Sequence, residues 1–305
     1  MQSAMSLWGG IPASVRGLIR TMRPKQWSKN GFVFMGILFD ARLFDLDALW
    51  RVLVAFWLFS LTASSVYIMN DLVDIDRDRL HPKKKNRPLP SGQLPIGLAK
   101  AAAVIFPVLS IGLGFLLNWQ LAAVLAGYMG LQIAYSFYLK NQVLLDVFAI
   151  AAGFVLRTIA GVVAIEVTNF SAWLYVCAGL LSLFLAIGKR RQELVLLQGD
   201  AEKVRDTYKG YNIPLLDDML RLVVTSVALA YTLYAAESET ALVDAEYMLL
   251  TVPFVYYGLF RYLYVIHRLG KGGDPTEVLF EDRPLLIGIG LWGLLVVFLL
   301  YVVAK

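Results

Sequence analysis

Asn70, Asp74 and Asp78 recur at i, i+4 and i+8 in "NDLVDIDRD", with Asp71 at i+1. A helix carried through this stretch lines all four along one side, while Asp76 points elsewhere. Each charged side chain at bilayer depth costs roughly 2.5–3.5 kcal/mol on insertion scales, so carboxylates gathered on one face call for a water-filled cavity or a bound cation. Donors that are all oxygen suit Mg2+, which keeps several waters and is commonly shared between one or two carboxylates and a phosphate. Asp71, Asp74 and Asp78 are therefore the candidate metal ligands, with Asn70 beside them. A solvated helix end flanking a loop is the plainer account of the same residues.

Basic residues crowd around this cluster. "RPKQWSKN" carries Arg23, Lys25 and Lys29; the segment after the aspartates carries Arg79, Lys84, Lys85 and Arg87; Lys140 closes "YSFYLK"; and "GKRRQEL" carries Lys189, Arg190, Arg191 and Glu193. Arginine grips phosphate through a bidentate fork and lysine as a point charge. Single lysines such as Lys83, Lys203 and Lys209 are accounted for as anchors beside a membrane. The collective excess points to a ligand with several phosphate groups. Tyr67, one turn before Asp71, and Tyr135, near Lys140, are placed to hydrogen-bond such a ligand or to anchor the chain at the interface.

The elements that position these groups are apolar helices. The 305 residues are 58% hydrophobic and only 17% charged, outside the range of ordinary globular domains. Runs long enough to cross about 30 Å of hydrocarbon occur at 52–69, 99–117, 121–139, 143–165, 172–187, 220–236, 247–266 and 285–303. A shorter run at 31–39 joins a helix begun near Trp27, giving nine expected spans in an all-α integral membrane protein. The first twenty residues lack a signal-peptide pattern, and residues 1–24 are expected to form a cytoplasmic or interfacial segment. No low-complexity linker divides 1–305, so a single domain is expected.

Lysines and arginines fall in alternate connections, which places the N-terminus and all candidate chemistry in the cytoplasm and the C-terminus outside. In so apolar a chain the net charge of +5 marks those loops and anionic ligands, and no nucleic-acid partner is expected. Cys177 is alone within an apolar run and reads as packing. His81 and His267 lack ligand spacing. Asp146 and Arg157, about three turns apart in one expected span, are candidates to pair with each other. Gly153 and Gly161 suit close helix packing.

"NDLVDIDRD" followed by "RPLPSG" at 87–92, at the end of the second span, resembles the UbiA superfamily of intramembrane prenyltransferases. That resemblance implies helices around a central cavity open sideways to lipid, with Asp71, Asp74 and Asp78 on a magnesium diphosphate. The family's second aspartate-rich motif is replaced by "GKRRQEL", giving one metal arm and one basic arm. With "RPKQW" near the start, this variant is similar to the decaprenyl-phosphate phosphoribosyltransferase branch.

The branch implies transfer of 5-phosphoribose from 5-phosphoribosyl 1-diphosphate (PRPP) to a polyprenyl phosphate for cell-wall arabinan, at the plasma membrane of a bacterium. It further implies Asp71, Asp74 and Lys189 as catalytic groups and a homotrimer, for which the residues themselves give no interface signal. Substrate contacts are expected from Lys25, Lys29, Tyr67, Asn70, Arg79, Lys84, Arg87, Tyr135, Lys140, Arg190 and Glu193. Two other readings of the same residues are a prenyltransferase using a prenyl diphosphate and an aromatic acceptor, and a transporter for an anionic metabolite.

Overall fold

A computed structural model describes residues 12–81, 84–167, 171–197, 206–237, 245–270, 278 and 281–303. Lys83 and Lys203 lie outside these. All regular structure among the described residues is helical, and seven helices are long and apolar enough to cross a membrane. The chain is an integral membrane protein.

The N-terminal helix α1 (Ala13–Met22) is amphipathic. Leu18 and Met22 pack onto Ile68, Leu89 and Leu94, while Arg20 donates to Gln93 Oε1 at 3.1 Å. A 3-10 segment, Pro24–Phe34, and the short α2 (Met35–Phe39) follow. Ser28, Asn30 and Gly31 disfavour a regular α-helix there, and the Ser28 hydroxyl turns back onto the Lys25 carbonyl at 3.0 Å. At a rise of about 2.0 Å per residue, the 3-10 segment reaches roughly 22 Å, further than an α-helix of the same length.

The long helix α3 (Leu46–Val73) is capped by Asp45, whose carboxylate accepts from the Asp47 and Ala48 amides. It turns at Asp74 into α4 (Ile75–Leu80). Sequence spacing predicts an unbroken helix here. Asp74 N still donates to Asn70 O at 3.0 Å and Asp78 N to Asp74 O at 2.8 Å, so the face survives the break.

The chain continues through α5 (Ile96–Leu117), α6 (Trp119–Phe137), α7 (Leu145–Ala164) and α8 (Ala172–Leu197). It is completed by α9 (Ile213–Glu237), α10 (Ala245–Met248), α11 (Val252–Arg268) and α12 (Arg283–Phe298). Two of the nine expected spans, 31–39 and 121–139, are absent from the seven. The first is broken between the 3-10 segment and α2, and the second, α6, is diluted by Gln120, Gln132, Tyr128 and Tyr135.

One core gathers Val33, Phe59, Leu125, Tyr128 and Ala160, locking the 3-10 segment between α3 and α7. Another joins α8, α9 and α11 through Phe184, Ile187, Leu216, Leu220 and Tyr262. The closest approach is at Gly161, where an added Cβ would lie 1.7 Å from the Val33 carbonyl oxygen. Backbone cannot yield there as a side-chain tip can. Gly161→Ala should therefore destabilise by at least the roughly 1–3 kcal/mol typical of overpacking. Gly127→Ala, with open space around its Cβ, should be neutral or stabilising. Thermal melts in detergent check the pair.

Candidate active site

The acidic arm forms where α1, the end of α3 and the segment after α4 meet. Asp71 and Asp78 are buried, at 3% and 1% exposed, and seven residues apart they face the same way. Arg87 Nη1 bridges them, at 2.6 Å from Asp78 Oδ2 and 3.3 Å from Asp71 Oδ1. Arg23 Nη2 reaches Asp71 Oδ1 at 2.6 Å, and Lys84 Nζ lies 3.7 Å from Asp78 Oδ1. Arg23 sits at φ 55° as it ends α1, and its guanidinium lies over the Tyr67 ring at 5.0 Å. Tyr67 is thereby fixed against the acidic arm.

Asn70 and Asp74 are half-buried, and neither side chain has a hydrogen-bond or ion-pair partner among the described residues. Asp76 and Arg79 pair with each other at 3.0 Å in solvent, turned away from the buried carboxylates. Among the described residues no three acidic, His or Cys side chains stand together as a complete metal cage. The arm offers two convergent carboxylates already holding a cationic guanidinium, plus Asp74 and Asn70. That donor set fits Mg2+ shared with a phosphate ligand, the usual way this ion is bound.

The basic arm is built differently from the expectation that Lys189 and Arg190 act alike. Arg190 is 3% exposed. Its Nε donates to Asp146 Oδ2 at 2.7 Å, Nη1 to Glu193 Oε2 at 2.6 Å and Tyr208 Oη at 3.2 Å, and Nη2 to Tyr135 Oη at 3.4 Å. Tyr208 also donates to Glu193. A buried guanidinium requires this compensation, and every nitrogen is consumed within the protein. Arg191 turns outward onto Asp217, at 2.5 Å.

Lys189, half-buried, has no hydrogen-bond or ion-pair partner among the described residues. It is the cation of the run left for a ligand. Lys25 and Lys140 likewise have side chains without such a partner there, and the Lys140 carbonyl accepts from Thr207 Oγ1 at 3.3 Å. Lys29 sits four residues beyond Lys25 on the 3-10 segment.

Tyr211 secures the start of α7. Its hydroxyl donates to Asp146 Oδ1 at 2.6 Å and accepts from the Leu144 amide at 2.8 Å. Burial, reinforced by the bond to Asp146, pushes the Tyr211 phenol well above its ordinary range, so it stays a donor. Leu144 is held at φ 69°, a conformation that costs a bulky residue about 1–3 kcal/mol.

Asp146 and Arg157 do not pair, contrary to the sequence expectation. Asp146 belongs to Arg190, and Arg157 lies 5% exposed in the bundle. Its Nε donates to Asn30 Oδ1 at 2.8 Å, Nη1 to the Gly153 carbonyl at 2.7 Å and Nη2 to Tyr128 Oη at 3.0 Å. Rings of Phe59, Tyr128 and Phe154 surround it at 4.9–5.2 Å. Asn30 in turn donates to Ser60 Oγ at 2.9 Å, and Trp27 Nε1 to Ser64 Oγ at 3.0 Å. These contacts fix the segment that carries Lys25 and Lys29. Asn30, Tyr128, Tyr208 and Tyr211 were not marked by any spacing in the sequence.

Residues 31–280 match the UbiA prenyltransferase family. The chain belongs to that family. It is 35% identical over 293 residues to decaprenyl-phosphate phosphoribosyltransferase of Corynebacterium glutamicum, covering 94% of this chain and 87% of that one. The Mycolicibacterium smegmatis protein of the same name is 35% identical over 294 residues, covering 91% and 90%. A UbiA homolog from Archaeoglobus fulgidus bound to GPP and Mg2+ superposes with a TM-score of 0.69 at 17% identity, over 94% of this chain and all of that one.

Proposed function

We propose that the chain transfers 5-phosphoribose from PRPP to a polyprenyl phosphate, releasing diphosphate. The carrying observation is the second arm: where two acidic arms would hold a diphosphate through metal from both sides, this site presents Lys189 with no partner among the described residues. Extensive similarity to two proteins named decaprenyl-phosphate phosphoribosyltransferase supports the same donor, and with it the cell-wall role that the family resemblance implies. We read the chain as one domain crossing nine times, with α6 and the 3-10 segment with α2 as the two further crossings. The basic connections support a site that faces the cytoplasm.

Asp71, Asp74 and Asp78 would hold a Mg2+ ion, whose chemistry when bound is to take up charge on a leaving diphosphate. Asn70 and Lys189 would bind phosphate oxygens, and Lys25, Lys29 and Lys140 would supply further cationic contacts. Arg23 and Arg87 position Asp71 and Asp78; Arg190, Glu193 and Tyr135 position the helix turn that carries Lys189.

Lys84 adds charge beside Asp78, whereas Arg79 faces Asp76. Departure of diphosphate leaves an oxocarbenium-like anomeric carbon, as in glycosidic cleavage. The acceptor phosphate is anionic at neutral pH, so no strong general base is needed, and direct displacement inverts α to β.

Donor binding tests the reading. Calorimetry in detergent with Mg2+ should show PRPP binding and a prenyl diphosphate binding at least about tenfold more weakly, a gap of about 1.4 kcal/mol. The reverse order would favour a prenyl donor.

A further inference from the structure

Glu193 is the one carboxylate of "GKRRQEL", and its two oxygens stand in different settings. Oε2 is held twice, by Arg190 Nη1 at 2.6 Å and by the Tyr208 hydroxyl. Oε1 has no hydrogen-bond or ion-pair partner among the described residues, and the side chain is 27% exposed, against 3% for Arg190. The carboxylate is therefore fixed at one oxygen and open at the other.

Charge balance does not account for it. Asp146 already neutralises Arg190 within the bundle, through a 2.7 Å bond to Nε, so Glu193 adds a surplus negative charge to an arm that must receive phosphate. Lys189 lies four residues before Glu193, one turn away on the same side of α8. Opposite charges at this spacing often pair on a helix, yet Lys189 has no partner among the described residues and Glu193 turns to Arg190 instead. An ammonium and a carboxylate oxygen are left open side by side.

We propose that Glu193 Oε1 accepts hydrogen bonds from the ribose hydroxyls of the donor, which makes Glu193 the residue that selects a phosphosugar over a prenyl diphosphate; the assignment rests on the donor reading above. An ammonium beside an anchored carboxylate matches a ligand that carries phosphate beside hydroxyls. An ionised carboxylate only accepts, and its bond from a hydroxyl is stronger than a neutral one. A prenyl diphosphate offers Lys189 a phosphate but gives Oε1 only repulsion. Arg190 and Tyr208 hold the carboxylate in place before the sugar arrives, which lowers the cost of ordering it on binding.

The test is calorimetry of the full chain in detergent with Mg2+, using PRPP and inorganic diphosphate as the two ligands. Glu193→Gln keeps an amide oxygen for Arg190 and Tyr208 and puts an NH2 group where Oε1 stood. Its melting temperature should stay near that of the wild type. PRPP affinity should fall about tenfold, the difference between a charged and a neutral hydrogen bond, while diphosphate affinity holds within about twofold. Asp218→Asn, which removes a carboxylate from an exposed pair with Arg221, should change neither. Equal loss of both ligands in Glu193→Gln would make Glu193 a support for Arg190 or a metal ligand and overturn the assignment, as would unchanged PRPP affinity. A wild type that binds diphosphate and no PRPP would remove the donor reading, and this assignment with it.

Discussion

Asp74→Ala should abolish transfer while leaving the melting temperature where it was. The half-buried Asp74 carboxylate has no hydrogen-bond or ion-pair partner among the described residues, so its loss removes the proposed metal donor and no contact among those residues that holds the fold. The expected fall in turnover is on the order of 100- to 1000-fold, the worth of one group stabilising charge that develops during reaction. Asp71→Ala should be as inactive and also less stable, because Arg23 and Arg87 lose the carboxylate they share. Asp76→Ala breaks only a solvent-exposed pair with Arg79 and should keep activity within about twofold. Turnover at saturating Mg2+, with melts alongside, separates the three. Full activity in the Asp74 and Asp71 variants would remove the metal arm from the account.

Lys189→Ala and Arg190→Ala, adjacent in sequence, should fail in different ways. Without Lys189 the fold loses no hydrogen bond or ion pair among the described residues, and PRPP affinity should drop about 10- to 100-fold, the roughly 1.5–3 kcal/mol of a charged hydrogen bond. Lys189→Asp should be worse, since it adds repulsion. Without Arg190, Asp146 and Glu193 lose their cation and Asp146 is left buried with no charge partner, keeping only the Tyr211 hydroxyl, which should cost about 3–5 kcal/mol of stability. Calorimetric PRPP binding and thermal melts on each variant decide this. A destabilised Lys189→Ala, or a stable Arg190→Ala that has merely lost donor affinity, would reverse the two roles.

The different settings of the adjacent Lys189 and Arg190 mark where sequence reasoning ends. The acidic arm is legible because aspartates at helical spacing beside an apolar span need a cation or water, and the geometry keeps Asp71 and Asp78 on one face despite the break at Asp74. The basic arm is legible as charge but not as assignment. Arg190 finds Asp146, 44 residues away, through the packing of α7 on α8, and "DTYKGYN" supplies Tyr208 and Tyr211 from a loop with no periodicity to read. Arg157 and Asp146 share a helix and a plausible spacing, yet each has a partner on another element. Hydropathy located the helices well, but it cannot see that 24–34 winds as a 3-10 segment, tied down by Asn30's contacts to Ser60 and Arg157 and by the close approach of Val33 to Gly161.

The central claim is tested most directly by weighing the lipid. Purified protein is incubated with Mg2+, PRPP and a polyprenyl phosphate, and the lipid fraction is read by mass spectrometry. The account predicts that the lipid gains one phosphoribosyl group, with diphosphate released in equal amount. An unchanged lipid with PRPP, together with a prenylated product when a prenyl diphosphate and an aromatic acceptor are supplied, would contradict it.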